Sequence, residues 1–117
     1  MEDFQYLRPA TVTEAVLLLA QHRGKARLIA GGQSLIPMLR SRLVRPAYVI
    51  GLEAIAELKR IEPSDGGLRV GAMATHHEVV TSPLVKERAA ILCEAEALVG
   101  SPAVRNLGTL GGNLCHN

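Results

Sequence analysis

The sequence predicts an α+β chain, with a small parallel β-α-β lobe at its start and the beginning of a mixed, partly antiparallel lobe behind it. Three observations carry that reading. Short apolar runs alternate with helix-forming stretches over the first fifty residues, the order that builds parallel strands joined by right-handed crossovers. Pro63-Ser64-Asp65-Gly66-Gly67 lies between two apolar runs, where it favours a hairpin and antiparallel pairing. The chain has 117 residues, 48% hydrophobic and 21% charged, which suffices for one core but leaves two independent domains near the lower limit for folding alone. Residues 1–55 and 56–117 are therefore read as two lobes of one unit.

Each element has a local reason. Phe4 to Leu7 reads as a short strand stopped by Pro9, and Thr11-Val12-Thr13-Glu14 has the form of a capping box that opens a helix. Val12, Ala15, Val16 and Leu19 share one face of that helix, which ends around His22-Arg23-Gly24. Arg27 to Ala30 reads as a strand covered on both faces, handing directly to Gly31-Gly32-Gln33-Ser34. Leu35 to Ser41 is expected to be helical, with Ser34 as N-cap and Pro37 in the first turn, where its missing N–H costs little. Tyr48-Val49-Ile50 is the third strand.

In the second lobe, Leu58 to Ile61 and Leu68 to Val70 form the two arms of the hairpin. Thr75-His76-His77-Glu78 repeats the capping-box form, and Ser82-Pro83 supplies an N-cap with proline at the first helical position. Ile91, Leu92, Ala95, Leu98 and Val99 follow helical spacing, with Gly100 placed to end the helix. From Ser101 to Asn117 no secondary-structure period is visible.

Composition excludes several function classes. With Phe4, Tyr6 and Tyr48 as its only aromatics, the chain lacks the stacking platforms of single-stranded nucleic-acid binders. A net charge of +2 is too small for a basic nucleic-acid face, and the densest cluster, Arg40, Arg42 and Arg45, reads equally well as a solvated helix end. Two cysteines, Cys93 and Cys115, make no disulfide framework, and the acidic start Met1-Glu2-Asp3 opens neither a signal peptide nor a membrane span. A cytoplasmic chain is expected.

Two constellations could carry chemistry. Ala30-Gly31-Gly32-Gln33-Ser34 stands where a strand passes to a helix, a place where glycines let an anion approach backbone amides and the helix start adds its positive dipole end. The same residues also make a tight turn without a ligand. Arg105-Asn106-Leu107-Gly108-Thr109-Leu110-Gly111-Gly112-Asn113 interleaves glycines with a hydroxyl and an amide that can bond phosphate oxygens without adding negative charge. A purely structural glycine-rich turn is the lesser alternative. Neither is a P-loop, since no lysine follows the glycines, and the Gly-x-Gly-x-x-Gly spacing of the Rossmann fingerprint does not occur. Two such loops suit a ligand with two adjacent phosphates.

The ordered pair, Ala-Gly-Gly-Gln-Ser-Leu-Ile-Pro at 30–37 and Arg-Asn-Leu-Gly-Thr-Leu-Gly-Gly-Asn at 105–113, with Val70-Gly71-Ala72-Met73-Ala74-Thr75 between them, resembles the FAD-binding medium subunit or domain of molybdenum hydroxylases. The resemblance covers nearly the whole chain. It implies the FAD-binding fold shared with vanillyl-alcohol oxidase relatives and FAD as cofactor. It further implies that Ala30, Gly31, Gly32, Gln33 and Ser34, with Thr109, Leu110, Gly111, Gly112 and Asn113, hold the diphosphate. Electrons would pass from a partner's iron–sulfur centre through FAD to an external acceptor. The implied partners are a molybdenum-cofactor large subunit and an iron–sulfur small subunit. Family members continue well beyond the second loop, so the chain reads as an N-terminal fragment. The alternative is a piece without catalytic activity that serves structure or subunit contact; an enzyme acting directly on a small substrate lacks an acid or base pair to support it.

No catalytic residue and no metal ligand is assigned. His76 and His77 are adjacent and point in different directions, and they are read as surface residues. Cys115-His116 has no matching partner pair for zinc, and Cys93 reads as a small core residue.

Overall fold

The computed structural model describes residues 4–31, 36, 38 and 45–116. A three-stranded parallel sheet is built from β1 (Gln5–Leu7), β2 (Ala26–Ile29) and β3 (Tyr48–Gly51), in the order β1-β3-β2. The strand that comes last in the sequence is thus central. Gln5, Tyr6 and Leu7 face Tyr48, Val49 and Ile50 on one side, while Ala26 to Ile29 run beside Tyr48 to Gly51 on the other. Val49 and Ile50 are consequently buried completely. Arg27 and Leu28 of β2, successive residues on opposite faces, are exposed, which corrects the expectation of cover on both faces.

Helix α1 (Val12–Gln21) starts where expected. The Thr11 hydroxyl accepts from the Glu14 amide at 3.1 Å, and the Glu14 carboxylate accepts from the Ala10 amide at 3.0 Å, one residue before the cap. Of the expected helix over residues 35–41, only Ile36 and Met38 are described, both helical; its proposed cap Ser34 lies outside the described residues. Of the arginine cluster only Arg45 is described, and it is exposed.

After β3 come a short 3-10 turn, Ala56–Lys59, and the antiparallel pair β4 (Ile61–Ser64) and β5 (Gly67–Val70). Leu58 and Lys59 therefore belong to the turn and not to the hairpin arm. The hairpin connection is the two residues Asp65 and Gly66, at φ 37° and 80°, the left-handed pair that matches strand twist. Pro63 pairs with Leu68 inside β4 and not in the turn, which a two-stranded sheet allows because each strand is an edge.

Helices α2 (His76–Thr81), α3 (Pro83–Arg88) and α4 (Ala90–Glu96) follow, with the capping box at Thr75 and the Ser82 cap both formed. Ala74, Val79, Val85 and Cys93 make the core, backed by Ile61, Leu68 and Val70 of the hairpin. The Cys93 thiol donates to the Val80 carbonyl at 3.1 Å. The apolar face expected for α4 is buried only in part: Leu92 packs against the core. Ile91 is 79% and Leu98 85% exposed, because the helix ends at Glu96 and turns Cys93 and Glu96 inward. The final stretch, expected to lack regular structure, holds two short helices, α5 (Pro102–Leu107) and α6 (Leu110–His116). Ser101-Pro102 opens α5 as Ser82-Pro83 opens α3, a signal equally legible in the sequence.

Candidate functional site

The two glycine motifs meet although 79 residues separate the contacting pair. The Thr109 hydroxyl donates to the Ala30 carbonyl at 3.4 Å and accepts from the Gly112 amide at 3.0 Å. Gly31 follows β2 at φ 76°, and a Cβ there would overlap the Leu107 carbonyl oxygen and lie 3.2 Å from the Gly108 Cα. Both its backbone conformation and the space it leaves thus require glycine. Gly32, Gln33 and Ser34 lie outside the described residues.

A third segment completes the seam. Residues 71–75 run past the second motif, where Ala72 and Ala74 carbonyls accept from the Gly111 and Leu110 amides, each at 2.9 Å. The Gly108 carbonyl accepts from the His76 amide at 3.0 Å, and Thr75 and Thr109 form an antiparallel bridge between these bonds. Gly71 to Thr75, noted in the sequence for its resemblance alone, is the platform on which the second motif lies.

The second motif is also bonded within the chain. Its residues 110–113 are the first turn of α6, whose amides bond within the chain: Leu110 to Ala74, Gly111 to Ala72, Gly112 to the Thr109 hydroxyl, and Asn113 to the Thr109 carbonyl at 3.0 Å. A Cβ on Gly111 would stand 2.6 Å from the Ala72 Cβ, and one on Gly112 would stand 2.7 Å from the Ala30 carbonyl oxygen. These glycines let three backbone segments close on one another. Thr109 is buried at the centre, Leu110 is half-buried, and Asn113 exposes its amide side chain at the surface beside them. Arg105 of the same motif turns elsewhere, donating to the Val99 and Gly100 carbonyls at 3.1 and 3.0 Å and fastening the turn between α4 and α5.

Two polar groupings escaped the sequence reading. His76 is 2% exposed, and its Nδ1 is hydrogen-bonded to the Glu96 carboxylate, itself 6% exposed, so the surface assignment holds only for His77. The capping box at Thr75 turns the first residue of α2 inward, and its partner comes from α4, twenty residues away. The second grouping lies at the carboxyl end of the parallel strands, where open α/β sheets place ligand crevices. There the Tyr6 hydroxyl donates to Glu53 Oε1 at 2.5 Å, and Arg8 Nε approaches the same oxygen at 2.8 Å. Burial, reinforced by the hydrogen bond and negative charge of Glu53, pushes the Tyr6 phenol up to about 12. Burial raises the Glu53 carboxyl, but bonds from Tyr6, its own backbone and Arg8 outweigh this and hold it below its ordinary value.

Among the described residues, no three His, Cys, Asp or Glu side chains gather as a metal site, and no helix is long and apolar enough to cross a membrane.

The likeness to known proteins is extensive. The carbon monoxide dehydrogenase medium chain of Hydrogenophaga pseudoflava is 41% identical over 113 residues, covering 97% of this chain and 39% of that protein. The caffeine dehydrogenase subunit beta of Pseudomonas sp. (strain CBB1) is 37% identical over 113 residues, covering 97% of this chain and 38% of that protein. Among solved structures, quinoline 2-oxidoreductase from Pseudomonas putida 86 superposes with a TM-score of 0.94 at 46% identity, over 98% of this chain and 40% of that one. Carbon monoxide dehydrogenase from Hydrogenophaga pseudoflava superposes at 0.95 with 40% identity, again over 98% of this chain and 40% of that one. The mixed α+β fold with its parallel sheet is therefore the fold of these proteins, and this chain spans about two fifths of their length. Residues 2–117 match the family described as the FAD binding domain in molybdopterin dehydrogenase, and the chain belongs to that family.

Proposed function

We propose that the chain binds FAD as part of a molybdenum-hydroxylase-type oxidoreductase and carries electrons from a partner's iron–sulfur centre to an external acceptor. The observation that carries the reading is the seam: the Thr109 hydroxyl joins the second glycine motif to Ala30 at the mouth of the first. That contact fits one diphosphate held by two motifs. Ala30, Gly31, Gly32, Gln33 and Ser34 would hold it from one side, and Thr109, Leu110, Gly111, Gly112 and Asn113 from the other. Within the second motif the parts divide. Thr109, Gly111 and Gly112 shape the seam, and the exposed Asn113 amide is free to turn toward a phosphate oxygen.

Bound flavin supplies the redox chemistry, while the chain's task is to bind and orient it. No general acid or base is required of these residues. Residues 1–55 form the smaller lobe of the FAD domain and 56–117 begin the second, the seam lying between them. The partners are a molybdenum-cofactor large subunit and an iron–sulfur small subunit, in keeping with relatives named as medium chains and FAD subunits. A cytoplasmic setting agrees with Cys93 and Cys115, both free thiols.

The test is flavin retention in the full chain. Gly32→Val and Asn113→Ala are each expected to lower FAD occupancy, read from the flavin absorbance of the purified protein. Wild-type occupancy in both variants overturns the diphosphate reading.

A further inference from the structure

A carboxylate that leaves water must gain partners that repay its desolvation, and a lone buried ion pair is seldom kept for stability alone. Glu96 is 6% exposed and is the last residue of α4, where the helix dipole disfavours negative charge. Its partner is His76, also buried, and the pair bridges the start of α2 to the end of α4. The bond between Nδ1 and the Glu96 carboxyl group fixes the imidazole in one orientation.

What that imidazole touches is the entrance to the second glycine motif. A Cβ on Gly108 would lie 3.1 Å from His76 Cδ2 and 3.3 Å from Nε2, so the ring fills the space beside the Gly108 Cα. The backbone of the same residue donates to the Gly108 carbonyl at 3.0 Å. Gly108 in turn directly precedes Thr109, whose hydroxyl reaches Ala30. One residue therefore holds Gly108 through both its amide and its ring, and Glu96 locks that ring.

We propose that the buried His76–Glu96 pair positions the second glycine motif for FAD, setting the place of Gly108 and of Thr109 where its hydroxyl meets Ala30. Neither residue touches the cofactor; each acts through Gly108. The inference rests on the FAD reading above. It assigns to two buried polar residues a task that a hydrophobic filler of the same volume would not perform.

The experiment compares His76→Ala, Glu96→Ala, Glu96→Gln and Val79→Ala with the wild type in the full chain. FAD affinity is measured by flavin fluorescence, and amide hydrogen exchange is followed over residues 108–113. Both His76→Ala and Glu96→Ala are expected to weaken FAD binding about tenfold, the scale of a lost hydrogen bond to a charged group. Glu96→Gln keeps a hydrogen-bonding partner for Nδ1 and is expected to bind as the wild type does. Val79→Ala cuts a cavity in the core beside α2 without touching Gly108; it should lower the melting temperature and leave FAD affinity unchanged. If Val79→Ala weakens FAD as much as His76→Ala at equal loss of stability, or if His76→Ala binds FAD normally, the positioning role is overturned. A wild-type chain that takes up no FAD overturns the proposed function instead. Exchange then decides the pair's role: faster exchange of residues 108–113 in His76→Ala than in Val79→Ala upholds it, and equal exchange overturns it.

Discussion

Thr109→Val tests whether one hydroxyl ties the glycine motifs together. Valine has nearly the shape of threonine, so the change removes the Oγ1 bonds and little volume. The side chain is 2% exposed, and water cannot readily replace what is lost. Two groups are left behind: the Gly112 amide, bonded at 3.0 Å, and the Ala30 carbonyl, bonded at 3.4 Å. The first bond is the helix cap of α6, and losing such a cap costs about 1 kcal/mol. Losing the second leaves the carbonyl of half-buried Ala30 without this donor, which adds about 1 kcal/mol, the usual net worth of one hydrogen bond. A total of ~2 kcal/mol corresponds to a fall in Tm of roughly 8 °C for a chain of this size. Thermal unfolding followed by circular dichroism measures it, with Thr109→Ser as the control that keeps the hydroxyl and loses a methyl group. If valine melts no lower than serine, the hydroxyl does not hold the seam.

Gly31→Ala combines a left-handed φ with overlap on the Leu107 carbonyl, whereas Gly24→Ala has a similar φ of 79° and open space around it. Gly24→Ala should cost only the backbone strain of roughly 1–2 kcal/mol, and Gly31→Ala clearly more; equal losses of Tm would show that the approach of the two motifs is loose. Tyr6 gives a pH signature. Its folded pKa of about 12 lies above the ordinary value of 10.0, so its contribution to stability is complete below pH 10 and is lost as pH rises through 12. An ultraviolet titration should contain a tyrosinate step near 12 that Tyr6→Phe abolishes, and a step at 10 in its place would deny the Glu53 bond. Glu53 has the opposite sign, since its lowered carboxyl contributes stability above 4.5 that is lost as pH falls through its folded value. Glu53→Gln should therefore flatten the acid limb of the stability curve below pH 4.5, and an unchanged limb would show that Arg8 and Tyr6 do not hold this carboxylate.

The readable parts of the fold were those whose partners lie three or four residues apart. Thr11 with Glu14, Thr75 with Glu78 and Ser82 with Val85 each satisfy helix-start amides locally, and each formed as its spacing required. The parallel order of the first three strands was equally legible, because short apolar strands separated by a helix leave few alternatives. The buried face of α4 was not. Its spacing favoured Ile91, Leu92, Ala95, Leu98 and Val99, of which Leu92 packs on the core, but a seven-residue helix buries whatever its neighbours meet, here also Cys93 against Val80 and Glu96 against His76. His76 was read as a surface residue for the same reason: nothing within four residues of it announces a carboxylate twenty positions later.

The sequence by itself determined the caps, the turn at Asp65-Gly66, the pair of glycine motifs and, through their order, the family. Only the tertiary structure decided what the glycines are for. A missing Cβ is visible in a sequence, but what occupies its space depends on chain segments far away, and at Gly31, Gly111 and Gly112 those are the backbones of Leu107, Ala72 and Ala30. At the second motif the Leu110 and Gly111 amides take the Ala74 and Ala72 carbonyls, because a buried N–H takes the nearest carbonyl that folding brings to it.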